Sequence, residues 1–198
     1  MEKNNEEIER LKGLTGEEKG VSFLTDLEYV KSKKGEEGIK ALEEETKKLG
    51  CPIRYKEIQS TKWYPIGQRV VSLLAAQRAF GWGEKEIFEM GNTAPKRSLI
   101  VRMLMKYLIS VKKLCKKAPE FWSKHFTFGS AEVPDFSEKE KYIVVHLKDC
   151  KIHPLYCTYL AGYILRLAQF VVREKAKIEE TKCMFRGDPY HEYRITWE

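Results

Sequence analysis

Apolar residues recur every three or four positions through the first two thirds of the chain and every second position through most of the last third, so helical periodicity gives way to strand periodicity. Val21 to Lys33 and Glu36 to Leu49 read as two amphipathic helices joined at Gly35, with Leu24, Leu27, Val30, Ile39 and Leu42 facing inward. Gly50-Cys51-Pro52 ends the second. Pro65 to Phe80 opens with a proline at the helix start and carries Val70, Leu73, Leu74 and Phe80 at helical spacing, and Gly81-Trp82-Gly83 breaks it. Glu84 to Gly91 reads as a short helix before a loop over Asn92 to Pro95. Ser98 to Lys117 reads as one long or broken helix with Leu99, Met103, Tyr107 and Leu108 inside, and Pro119 starts another over Glu120 to Phe128. After Gly129, Ala131 to Phe136 and Lys141 to Leu147 alternate as a pair of strands. Pro154 opens an apolar helix, and strands over Lys177 to Cys183 and His191 to Trp197 finish the chain. In the last strand His191, Tyr193, Ile195 and Trp197 share one face. The expected fold is α+β: an N-terminal helical bundle packed on a small antiparallel sheet, a single domain over residues 20–198 behind a charged tail over residues 1–19.

Composition supports one domain with a core. The chain has 198 residues, 42% hydrophobic and 12% aromatic, enough to bury a core and an internal pocket. The longest apolar stretch, Leu155 to Val172, is interrupted by Arg166 and Gln169 and reads as a buried helix rather than a membrane span. The charged start does not resemble a secretory signal, and five scattered cysteines point to a reducing, cytoplasmic setting, with Cys51, Cys115 and Cys150 as structural thiols. The formal charge of +7 comes from lysines mixed with glutamates, the pattern of solvated helix faces. The basic stretch Lys106 to Lys117 lacks any helix-turn-helix or zinc-finger pattern, so nucleic acid is not an expected partner.

Candidate chemistry gathers near the C-terminus. Cys157 on the apolar helix, then Glu180, Cys183 and His191 around the turn Arg186-Gly187-Asp188-Pro189, offer two sulfurs, one oxygen and one nitrogen. Zinc accepts that mixture, and four protein ligands would close a tetrahedral, structural site. On an extended strand Glu180 and Cys183 point to opposite faces, so both reach one ion only where the strand ends or bulges. The plainer reading makes the two cysteines small buried hydrophobes and His191 a hairpin residue. His153, four residues before Cys157, is a reserve ligand, although Pro154 at the first helical position leaves it at the cap.

From His153-Pro-Leu-Tyr-Cys157 and Gly162 through Glu180-x-x-Cys183 and Gly187-Asp188 to Tyr193-Arg-Ile-Thr-Trp197, the chain resembles the vinyl-reductase-like, or hydrocarbon-binding, domain family. Gly20-Val-Ser-Phe23, Trp63-Tyr64-Pro65 and Ala118-Pro-Glu-Phe-Trp122 extend the resemblance to roughly residues 20 to 197. It implies a fold shared with nitric-oxide-sensing haem domains and small subunits of a vesicle-tethering complex. It also implies zinc on the positions of Cys157, Glu180, Cys183 and His191, and a homodimer. This chain departs from the family in holding His191 where a further Cys is usual.

The same resemblance implies a cavity among the helices, and Trp63, Tyr64, Phe80, Trp82, Trp122, His125, Phe126, Tyr159 and Tyr163 are its candidate lining for an apolar or aromatic ligand. Filling the core is the other use of such residues. Enzyme signatures are missing: the sequence has no Gly-rich phosphate loop, no Gly-x-Ser-x-Gly and no His-Glu-x-x-His. The expected function is therefore a small-molecule-binding sensor with a structural zinc, reading out through another protein, and not an enzyme. The alternatives are a haem-based gas sensor with His125 or His153 as axial ligand, a non-catalytic interaction module, and an accessory role in reducing a tetrapyrrole vinyl group.

Overall fold

The computed structural model describes residues 2–99, 101–103, 110–172 and 175–198. Six α-helices lie among them: α1 (Glu2–Lys12), α2 (Val21–Lys48), α3 (Ile66–Phe80), α4 (Glu84–Arg97), α5 (Val111–His125) and α6 (Pro154–Val172). β1 (Glu17–Lys19) pairs with β2 (Trp63–Pro65). The main sheet contains β3 (Ser130–Ser137), β4 (Tyr142–Lys148), β5 (Ala176–Lys182) and β6 (His191–Trp197) in the antiparallel order β3-β4-β6-β5. This is the expected α+β arrangement of helices on a small sheet.

The helical boundaries follow the sequence signals where those signals are local. Gly35 sits at φ 67° and ψ −164° and kinks α2 where two helices were expected to join. Gly81 is left-handed at φ 65° and stops α3. Packing overrides two proline signals. Pro119 does not start a helix but lies inside α5, whose buried Val111, Leu114, Cys115 and Trp122 form one face across it. The loop expected over residues 92–95 is the last turn of α4, with Ala94 and Pro95 buried. The segment Ser98 to Lys117 falls partly outside the described residues, and Leu99 and Met103, expected inside, are exposed.

The charged start is structured. Ile8 and Leu11 of α1 are buried in the core, and β1 places Glu18 in the interior. Of the two readings open for Glu2 to Leu11, a mobile tail or a frayed helix, the structure has a helix with one apolar stripe.

The helix pair α4 and α6 packs closely at the centre. A Cβ on Gly91 would come 2.0 Å from the carbonyl oxygen of Tyr159, and one on Gly162 would come 2.1 Å from that of Phe88. Only glycine permits this approach, which explains why a glycine follows Cys157 on α6. Asn92 Nδ2 donates to the Gly162 carbonyl at 3.0 Å, and Arg166 reaches Asn92, so the cation on this apolar helix is used inside the protein. By length and composition α6 could cross a membrane, yet it packs here as a core helix.

Candidate functional site

The C-terminal hairpin brings the four expected ligands together. In β6 the inward face carries His191, Tyr193 and Ile195, all buried. In β5 Glu180 shares the less exposed face with Ile178. The β5–β6 register shifts between Glu180 and Lys182, and the strand ends there, which returns Cys183 to the side of Glu180. Asp188 Oδ2 accepts from the Cys183 backbone N–H at 2.8 Å and closes the turn, with Gly187 left-handed at φ 97°. Cys157 arrives from α6, and the ligand atoms of Cys157, Glu180, Cys183 and His191 all lie within 4.8 Å of one another.

Within this cluster His191 Nδ1 is 3.0 Å from Glu180 Oε1, and Cys157 Sγ is 3.8 Å from His191 Nε2. Burial, followed by the charges of Glu180 and Cys183, pushes the Cys157 thiol up. It therefore keeps its proton, which can be donated to the His153 carbonyl at 3.5 Å. Burial also acts to raise Glu180, but its bonds to His191 and Cys183 outweigh this and hold the carboxyl below its usual range. The reserve ligand His153 is committed elsewhere: Nε2 lies 3.1 Å from Glu7 Oε1, and Nδ1 accepts from the Leu155 backbone N–H at 3.0 Å.

An apolar cavity of about 90 Å³ lies between α5, α6 and the inner face of the sheet. Cys115 and Ala118 of α5, Val145 and Ile195 of the sheet, and Ile164 and Leu167 of α6 are among its walls. Of the aromatic candidates, Trp122, His125, Phe126 and Tyr163 line it. His125 Nδ1 lies 2.9 Å from the Phe121 carbonyl, which can only accept, so Nδ1 carries a proton. No Lys or Arg lies on this wall among the described residues.

Next to it is a cavity of about 20 Å³ that shares His125, Phe126, Leu160 and Tyr163 with the first. Tyr159 lies here, with Glu18, Ser22, Thr25 and Ser98. The other four candidates are elsewhere. Lys19 Nζ sits 3.7 Å over the Trp63 ring, and Tyr64 packs on Phe23 at 5.6 Å. Phe80 packs on Trp82 at 4.8 Å, and Trp82 on Tyr29 at 5.5 Å. Aromatic content marked these helices without saying which side of each faces the cavity.

Behind the small cavity lies a group that sequence reasoning missed. Arg69 is fully buried, with NH1 2.7 Å from Asp26 Oδ2 and Nε 3.4 Å from Glu18 Oε2. Tyr159 donates to Asp26 Oδ1 at 3.0 Å and Tyr156 to Glu18 Oε2 at 3.0 Å. Burial raises Asp26 to about 6 against the pull of Arg69 and the Tyr159 hydroxyl, with Glu18 adding to the rise. An arginine at an interior position of α3, flanked by apolar residues on both sides, was the available signal.

No protein-family model matches the chain, and no curated protein does. Solved structures do. An H-NOX protein from S. oneidensis in its Fe(II)NO ligation state aligns with a TM-score of 0.61 at 14% identity, covering 91% of this chain and 99% of that one. An unliganded Fe(II) H-NOX mutant from K. algicida aligns at 0.64 and 12%, covering 91% and 96%. An oxygen-binding H-NOX domain related to soluble guanylate cyclases aligns at 0.60 and 15%, covering 91% and 95%. At these identities the likeness shows the fold. It agrees with the expected fold, shared with nitric-oxide-sensing haem domains, and does not single out the vinyl-reductase-like family.

One expectation is overturned. Zinc was the expected cofactor, whereas the neighbours of this fold are described with haem and Fe(II). Convergence of Cys157, Glu180, Cys183 and His191 stands as geometry, with no ion assigned to it.

Proposed function

We propose that this chain is a non-catalytic sensor domain that takes up a small molecule or gas in the apolar cavity between α5, α6 and the sheet. The observation that carries this reading is an almost wholly apolar cavity within a fold whose solved neighbours include nitric-oxide- and oxygen-ligated haem domains. A space of about 90 Å³ suits a few-atom molecule, since a dry cavity of about 150 Å³ holds benzene. Residues 20–198 are the proposed sensing unit, with α1 docked on it, in a cytoplasmic setting consistent with five free cysteines. The readout would pass to a separate protein or a second copy.

The haem-based form is the one that the comparisons support better, and His125 is the residue that fits it. Its Nδ1–H is held by the Phe121 carbonyl, so Nε2 would be the atom to hold the iron. The apolar walls suit porphyrin faces, and the haem would supply an iron atom that takes a diatomic gas. Two features work against haem in this cavity: its volume, and the lack of a Lys or Arg on its wall among the described residues to meet the propionates. Haem uptake therefore requires the cavity to widen, whereas direct uptake of a small apolar molecule does not.

Haem titration separates the two forms. A one-to-one Soret band that disappears in His125→Ala, in protein with unchanged circular dichroism, establishes the haem form. Titration without any Soret band eliminates that form and leaves direct binding, which native mass spectrometry of gently purified protein reads as a retained organic mass. The cavity also weighs against a purely structural interaction module, for which it would be filled by side chains.

A further inference from the structure

The two adjoining cavities differ in chemistry, and the difference specifies a ligand. The larger is walled by apolar side chains, whereas the smaller, still largely apolar, also has Glu18, Ser22, Thr25, Ser98 and Tyr159 among its lining residues. His125 and Phe126 belong to both walls, so a molecule lying in the first can extend past them into the second. At about 20 Å³ the polar cavity holds one water-sized group.

Charge selects that group. Two carboxylates, Glu18 and Asp26, face one guanidinium, Arg69, and among the described residues no other cation pairs with either acid. One formal negative charge is thus uncompensated in a water-poor interior, where an unpaired charge is expensive. Asp26 Oδ1 accepts from Tyr159, while Oδ2 lies 2.7 Å from Arg69 as an ion pair without hydrogen-bond geometry. Among the described residues the contacts of Glu18 both fall on Oε2, and Glu18, unlike Asp26, lines the small cavity. A carboxylate oxygen beside hydroxyls is an acceptor set for the three N–H donors of a primary ammonium. Water would satisfy the hydrogen bonds and leave the charge.

We propose that the ligand of this domain is a small primary aliphatic amine whose hydrocarbon body occupies the apolar cavity and whose ammonium group lies against Glu18 in the polar one. This rests on the reading that the apolar cavity binds its ligand directly. Recognition is then divided: the apolar cavity sets the size and branching of the body, and Glu18 sets the charge of the head.

The test is isothermal titration of the full chain near neutral pH with 3-methylbutylamine and with its neutral isostere 3-methylbutanol. The amine is expected to bind more tightly by about tenfold or more, the scale of one charge-assisted bond in a desolvated site. Glu18→Gln should weaken the amine and bring the two ligands together. Thr25→Val, which keeps the shape of the side chain, should weaken the amine alone and covers the case in which Glu18→Gln fails to fold. Equal affinity for amine and alcohol overturns the ammonium subsite and leaves the apolar cavity as a ligand site. Binding of neither overturns both this inference and the direct-binding reading beneath it, and stoichiometric haem uptake through His125 overturns the amine assignment by filling the cavity.

Discussion

Two acidic centres are buried in this protein, and they are built in opposite ways. At the C-terminal hairpin, Glu180 meets His191 and two thiols, three of the four residues coming from one hairpin and all of them from the last quarter of the chain. In the helical half, Glu18 and Asp26 meet Arg69 and two tyrosines from β1, α2, α3 and α6, which fold together from distant parts of the sequence. The hairpin centre sits at the edge of the sheet, where Glu180 is bonded to His191 and is, like the turn, partly open. The helical centre carries fixed charge in the interior. Loss of one partner should therefore be mild in the first and severe in the second.

Removing Arg69 is the strongest way to sharpen that contrast. Arg69→Met keeps much of the side-chain volume but leaves Glu18 and Asp26 buried without a counter-charge. We expect a loss of about 3–5 kcal/mol by urea denaturation, the usual cost of breaking one side of a buried ion pair. A loss no larger than that of an average core substitution would show that the two acids share a proton or reach water, and the distinction between the centres would fail.

At the hairpin the expected effect is smaller. His191→Ala removes a buried ring that lies between Glu180 and Cys157, leaving a cavity and a half-buried carboxylate that can turn toward solvent. A loss of about 2–3 kcal/mol is expected. Hydrogen exchange should quicken in β5 and β6 before it quickens in α3. Cys183→Ser should cost less, about 1–2 kcal/mol, because it keeps the shape of a buried thiol while adding a more polar hydroxyl. Exchange that quickened equally in the helical half would mean that the hairpin is not a separate unit.

How these centres came to be legible, or not, follows from their construction. The hairpin declared itself because a two-residue period fixes which side chains share a face: His191, Tyr193 and Ile195 were assigned to one side of β6 and lie there. Even the need for Glu180 and Cys183 to be reconciled by a bulge or strand end could be read from parity. The fold class followed from the same change of period. Helix faces are wider, so Trp63, Tyr64, Phe80 and Trp82 could be assigned to helices or their flanks without revealing that they pack away from the cavity. Pro119 and Asn92 to Pro95 were misread because burial on both sides of a proline outweighs one missing hydrogen bond, as α5 shows. Glu18, Asp26 and Arg69 gave no local signal as a set, since acids and bases are abundant throughout and only tertiary structure says which few are dry. Zinc was a sound match to the donors, but donor chemistry alone does not choose a cofactor.

The finest distinction between the two centres is their response to pH. Burial raises Asp26 to about 6 from an ordinary value of 3.8, with Arg69 and Tyr159 opposing and Glu18 assisting. The folded protein therefore holds this proton more tightly than the unfolded chain does. The stabilising contribution is complete below about pH 4 and is lost as pH rises through about 6. Asp26→Asn carries no such titration. Relative to wild type, its stability should improve as pH rises from about 4 to about 7 and level off above that, measured by urea unfolding at steps across the interval. Glu180 shifts the other way, with its folded value held down by His191 and Cys183, so Glu180→Gln should compare best with wild type at low pH and worse as pH rises through the ordinary carboxylate range. Opposite slopes for the two variants would establish that burial dominates at Asp26 while the bonds to His191 and Cys183 dominate at Glu180; parallel slopes would put both acids in the same electrostatic class.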